Sequence, residues 1–201
     1  MSYQYNTIEK PSFTEYKDRG SRFLAFAFPI ETSDIFKARL KEIKEEHPKA
    51  AHHCFAYRIG TDGNNYRSSD DGEPSGTAGK PILGQIDSKG LTNMAVVVVR
   101  YFGGTLLGVP GLINAYKTST SLALQLTPII QRHILVNYIL DFEYNLMNEV
   151  MMILKKFNCQ VFENQMQLFC KIKTGVPKEN VEQWLVKMTE LHAVEVSTAN
   201  N

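Results

Sequence analysis

"ILVNYILDFEYNLMNEVMMILKKF", residues 134–157, changes its hydrophobic period halfway along. From Ile134 through Val136, Tyr138, Leu140 and Phe142 to Tyr144 every second residue is apolar, the spacing of a strand with one buried face. Leu146, Met147, Val150, Met151, Leu154 and Phe157 then recur at helical intervals, and Asn145 stands where an N-cap belongs. A strand has passed directly into an amphipathic helix.

The same reading extends to the C-terminus. "CQVFE", residues 159–163, is a short strand, and "MQLFCKIK", residues 166–173, alternates through Met166, Leu168, Cys170 and Ile172. Pro177 suits the first turn of a helix whose apolar face is Val181, Trp184, Leu185, Met188 and Leu191. "AVEVS", residues 193–197, closes as a strand. The order β-α-β-β-α-β is the ferredoxin-like pattern, and it assigns residues 133–201 to one domain.

Residues 1–132 form another domain, also α+β. "SRFLAFAFPI", residues 21–30, alternates as a strand, and residues 33–47 are an amphipathic helix with Ser33 as N-cap. "HHCFAYRIG" and "NYRSS" flank an Asp-Gly turn and predict a hairpin. "MAVVVVRYF", residues 94–102, is apolar on both faces, so it is a central strand. A longer helix runs from Pro110 to about Leu126. The fold class is therefore α+β in two domains.

Composition removes several classes of function. Lys and Arg number 22 against 21 Asp and Glu, a net charge of +1, too small for a protein that coats nucleic acid non-specifically. No apolar run reaches the length of a bilayer span, and the start of the chain lacks the pattern of a signal peptide, so the cytoplasm is the expected location. The three cysteines, Cys54, Cys159 and Cys170, are scattered and imply neither a disulfide framework nor a zinc site. No metal or cofactor is expected.

Two glycine-rich loops carry whatever chemistry there is. In "DDGEPSGTAGKPIL", residues 70–83, Asp71-Gly72 marks a turn and Glu73 adds a carboxylate. Gly76, Thr77, Ala78 and Gly79 then offer unshielded amides ahead of a helix with Pro81 in its first turn. That recipe holds an anion, with Lys80 adding charge. The second loop, "RYFGGTLLG", residues 100–108, joins the central strand to a helix, so Arg100, Gly103, Gly104 and Gly108 become further ligand candidates. Neither loop matches a P-loop or a dinucleotide fingerprint. The two are expected to line one groove. His52 and Cys54 share a strand face, but no third group completes a nucleophilic triad. No catalytic residue is therefore assigned. Phe162 and Phe169 with Lys171 and Lys173 form an exposed set that could stack on RNA, without an RNP-type signature.

At these residues the chain resembles the IMPACT/YigZ family across essentially its whole length. The motifs are "AAHHCFAYR" (A-x-H-x-C through Ala50, His52 and Cys54), "DDGEPSGTAGKPIL" with Asp71 and Glu73, and "VVVVRYFGGTLLGVPGLINAY" with Tyr101; "SRFLA" fits as well. The resemblance implies a first domain similar to a domain of a small-subunit ribosomal protein. It implies a second domain similar to a ferredoxin-like domain of elongation factor G. The family's eukaryotic member is a translation regulator, which competes for the activator of a starvation-sensing kinase. Many members have glycine where this chain has Pro110 and a basic residue where it has Asn114, and loss of that cation weakens an anion site beside the second loop. A non-catalytic regulator of translation, or a ribosome-associated factor with ribosomal RNA or a regulatory protein as partner, is the expected function. The alternative is an enzyme acting on a phosphorylated or nucleotide-like small molecule. The first domain has 16 basic and 13 acidic side chains, enough for a few phosphate contacts, with Arg100 and Lys80 as the candidates.

Overall fold

A computed structural model describes residues 2–199. The chain divides into two compact units, one of Tyr5–Arg132 and the other of His133 onward together with the residues before Tyr5. The first unit contains β1 (Gln4–Ile8), β2 (Ser12–Asp18), β3 (Ser21–Pro29), α1 (Ser33–Glu46), β4 (His52–Ile59), β5 (Asn65–Ser69), α2 (Gly79–Ser88), β6 (Met94–Tyr101), α3 (Gly108–Gln125) and β7 (Ile129–His133). No helix among the described residues is long and apolar enough to cross a membrane.

The valine run sits where its two-sided hydrophobicity requires. β6 is the middle strand of an antiparallel sheet in the order β2-β3-β6-β4-β5. Val96 and Val98 pack with Cys54 and Ala56 beneath α2 and α3. Val97 and Val99 point the other way, onto a second core with Phe36 and Ile43 of α1. One helix on one face and two on the other leave no water on the central strand. β1 and β7 pair separately as a two-stranded ribbon.

The second unit has β8 (Leu135–Glu143), α4 (Met147–Lys156), β9 (Gln160–Gln165), β10 (Phe169–Pro177), α5 (Val181–Thr189) and β11 (Val194–Thr198). The sheet order β11-β8-β10-β9 is the ferredoxin-like arrangement. Tyr138, Leu140 and Phe142 of β8 share a core with Val150, Leu154 and Trp184 of the helices. The α+β class and the β-α-β-β-α-β order are those the hydrophobic periods predict.

Some local expectations shift. Thr32, not Ser33, caps α1, its hydroxyl accepting from the Ile35 amide at 3.3 Å. Asn145 lies inside a short 3-10 turn, Tyr144–Leu146, ahead of α4. Pro177 ends β10 instead of opening α5, because a second 3-10 turn, Lys178–Asn180, intervenes. Met166 and Leu168 are exposed beside the β9–β10 turn, and the strand starts only at Phe169. β1, β2 and β7 have no counterpart in the sequence reading.

Candidate functional site

Pairing between β4 and β6 builds the site. His52 lies opposite Arg100 and Cys54 opposite Val98, so all of these face α2 and α3. Tyr101, one residue on, points to the α1 side, where its hydroxyl meets His47 Nδ1 at 3.0 Å. Alternation along a strand thus removes Tyr101 from the site that its neighbour Arg100 occupies.

The first loop folds back on itself. Asp70 Oδ1 accepts from the amides of Ala78 (3.0 Å) and Gly79 (2.8 Å), and Oδ2 accepts from Gly76 (2.8 Å). The amides that the sequence offers to an external anion are therefore held by a carboxylate six to nine residues upstream. Partial burial on its own raises the Asp70 carboxyl, but those three N–H groups and the charge of Lys80 outweigh it, and the net shift is downward. Thr77 is buried and donates to the Pro74 carbonyl. Lys80 is exposed. Gly79 also lets α2 start against β5, since a Cβ there would lie 2.7 Å from the Ser69 nitrogen.

The other carboxylates separate. Asp71 accepts from the His53 amide at 2.7 Å and lies 3.7 Å from Lys44. Glu73 turns inward, where its Oε1 accepts from Arg100 Nη1 at 2.7 Å and from the Tyr116 hydroxyl at 2.8 Å. His52 Nε2 is 3.8 Å from the same oxygen, while His52 Nδ1 is bonded to the Asp71 carbonyl at 2.8 Å. Among the described residues no group of three His, Cys, Asp or Glu side chains gathers in a form that could hold a metal ion.

Arg100 is only 5% exposed. Its guanidinium lies over the rings of Phe23 and Phe102, and its Nη2 is 3.4 Å from the Ser21 hydroxyl. It is a buried partner of Glu73 and cannot serve as the phosphate contact the sequence suggested. Lys171 and Lys173, the basic pair of the second unit, stand 3.5 Å from Asp141 and 3.6 Å from Glu163.

Cys54 Sγ is fully buried, 2.9 Å from the Asp70 carbonyl and 3.3 Å from the Tyr116 hydroxyl. Burial, opposed by the Tyr116 bond and reinforced by nearby carboxylates, pushes the thiol up to about 12. A thiol at that value is not a nucleophile at neutral pH. Iodoacetamide at pH 8 should leave Cys54 unmodified in the native protein and label it in urea. Native labelling, read by peptide mass spectrometry, would contradict this placement.

Tyr116 is the residue the sequence reading missed. It is fully buried on α3, and its hydroxyl joins Cys54 to Glu73. A signal was present: Leu112, Tyr116, Ser119 and Ala123 share a helical stripe, and a buried tyrosine needs a partner for its O–H.

The second loop is shaped by one contact. A Cβ on Gly103 would fall 1.9 Å from the Gly20 carbonyl carbon, so the loop passes directly over the β2–β3 turn. Gly103→Ala should cost about 1–3 kcal/mol, the scale of an overpacked core, read as a lower urea midpoint. An unchanged midpoint would show that the loop does not need that approach. Gly104 and Gly108 are exposed, and Gly108 opens α3.

Both loops border one cavity of about 520 Å³. Glu73 and Pro74 contribute from the first loop, and Arg100, Phe102, Leu106 and Val109 from the second stretch. Gly76, Thr77, Ala78, Gly79 and Lys80 do not reach it. The groove is shared, but its first-loop contribution is the acid and the proline rather than the glycines.

Comparison with known proteins now places the geometry. Residues 19–124 match the family model described as the Impact N-terminal domain. The chain is 33% identical over 172 residues to the IMPACT family member YigZ of Escherichia coli strain K12, covering 85% of this chain and 84% of that one. It is 40% identical over 96 residues to the protein IMPACT homolog of Saccharomyces cerevisiae, covering 45% of this chain and 36% of the yeast protein. A crystal structure described as that of a hypothetical protein superposes with a TM-score of 0.77 at 28% identity, covering all of both chains.

Proposed function

Because this chain belongs to the IMPACT family, we propose that it regulates translation by binding a component of the translation apparatus and performs no catalysis of its own. One observation carries the reading. The groups that chemistry would need at the motifs are engaged with one another: Asp70 with three amides, Glu73 with Arg100 and Tyr116, and Cys54 buried against Asp70 and Tyr116.

A saturated network of this kind holds a surface in shape. Its exposed product is the cavity, whose rim is apolar. An enzyme acting on a phosphorylated molecule would need a nucleophile or base together with free anion-binding donors. Here the amide cradle, the arginine and the thiol are already occupied. Kinship to a translation regulator supports translation as the process.

The test is a translation system reconstituted from purified components, with and without added protein. A dose-dependent change in the rate of reporter synthesis is expected, with no turnover of nucleotides or phosphate esters by the protein alone. No effect at saturating protein, or hydrolysis by the purified protein, would overturn the reading.

A further inference from the structure

We propose that the cavity beneath Phe102, Leu106 and Val109 docks a protein segment: an apolar side chain fills it, and an uncharged N–H of the same segment donates to acceptors on its floor. This rests on the binding reading above and names the chemistry of the partner.

The floor accepts and does not donate. His52 Nδ1 faces the Asp71 carbonyl at 2.8 Å, and a carbonyl can only accept. Nδ1 therefore carries the proton, and Nε2 of the neutral ring is an acceptor. Glu73 borders the same cavity, and both of its short hydrogen bonds fall on Oε1. The donors of Arg100 are withdrawn: Nη1 serves Glu73, Nη2 faces Ser21, and Nε is buried without a partner. A phosphate would meet acceptors here and no free donor. A cation gains little, since the charge on Glu73 is already matched by Arg100 at 2.7 Å. A neutral N–H complements this floor.

The walls argue for a protein rather than a small metabolite. Leu106 is 82% exposed and Phe102 and Val109 are each 52% exposed. Ile113, one helical turn beyond Val109, extends the apolar surface along α3 outside the cavity. An apolar pocket with a few polar groups at its base, continuous with a wider apolar margin, matches the centre of a protein interface. A volume of about 520 Å³ holds one large side chain and its flanking backbone.

The experiment follows methyl resonances of Leu, Val and Ile in the full chain. N-acetyl-leucinamide and N-acetyl-tryptophanamide are the probes, and adenosine monophosphate is the phosphate-bearing comparison. The two amides should shift the Leu106 and Val109 methyls saturably, with Kd near about 1 mM, as befits single-residue fragments. Adenosine monophosphate should not shift them. Leu106→Glu, at an exposed position, should abolish the shifts without altering the melting temperature. His52→Ala should weaken binding about 5-fold, the worth of one hydrogen bond. The proposal is overturned if neither amide shifts these methyls up to its solubility limit, if adenosine monophosphate shifts them instead, or if Leu106→Glu binds as wild type does. Such a failure leaves the effect on translation, measured separately, as it was.

Discussion

Arg100→Met should lower the free energy of unfolding by about 3–5 kcal/mol, the usual consequence of stranding one member of a buried ion pair. Glu73 would keep its charge in a site where its side chain is 3% exposed, with the Tyr116 hydroxyl as its nearest remaining donor. Adding Glu73→Gln should recover much of the loss, because a neutral amide can take the Tyr116 hydrogen bond without an uncompensated charge. Urea unfolding of the two single variants and the double variant gives the coupling directly. A coupling energy of at least about 1 kcal/mol is expected for groups sharing a short buried contact. Additive losses would mean that Arg100 and Glu73 contribute independently, and that the floor of the cavity is not held as one unit.

Asp70→Ala should cost about 2–4 kcal/mol, because three amide hydrogen bonds to a charged acceptor are lost together and are not additive. The pH dependence has a definite sign. The folded carboxyl lies below its ordinary value, so its contribution is complete above the unfolded pKa of about 3.9 and is lost as pH falls through the lower folded value. The stability difference between wild type and Asp70→Asn should therefore be constant near neutrality and shrink below about pH 4. A difference that persists unchanged to pH 2 would show that the carboxylate charge does not hold the loop.

Both predictions concern groups whose presence was legible in the sequence and whose partners were not. The glycine amides before α2 do form an anion cradle, but the anion is internal. A string of residues cannot show that the turn at Asp71, with φ of 42°, carries the neighbouring Asp70 back over Gly76–Gly79. Arg100 was marked by its place at the end of a buried strand. Its pairing with a residue 27 positions away depends on the sheet register and was out of reach. The core was easier to read, because period governs it: four valines apolar on both faces required a central strand, and residues 134–157 switch period where β8 gives way to α4. β2 escaped for the same reason. It is an edge strand whose burial alternates only between intermediate and exposed, so its pattern of Phe, Glu and Lys reads as polar surface.

The surface that results is nearly neutral at its floor and apolar at its rim, and the most direct test of the account is the salt dependence of binding to purified ribosomes. Wild type and Leu106→Glu would be sedimented with ribosomes over a series of salt concentrations. The account predicts that wild type binds with a shallow salt dependence and that Leu106→Glu does not bind. A steep dependence, of the kind that releases about 0.7–0.9 counterions per phosphate contact, with Leu106→Glu binding as well as wild type, would contradict it.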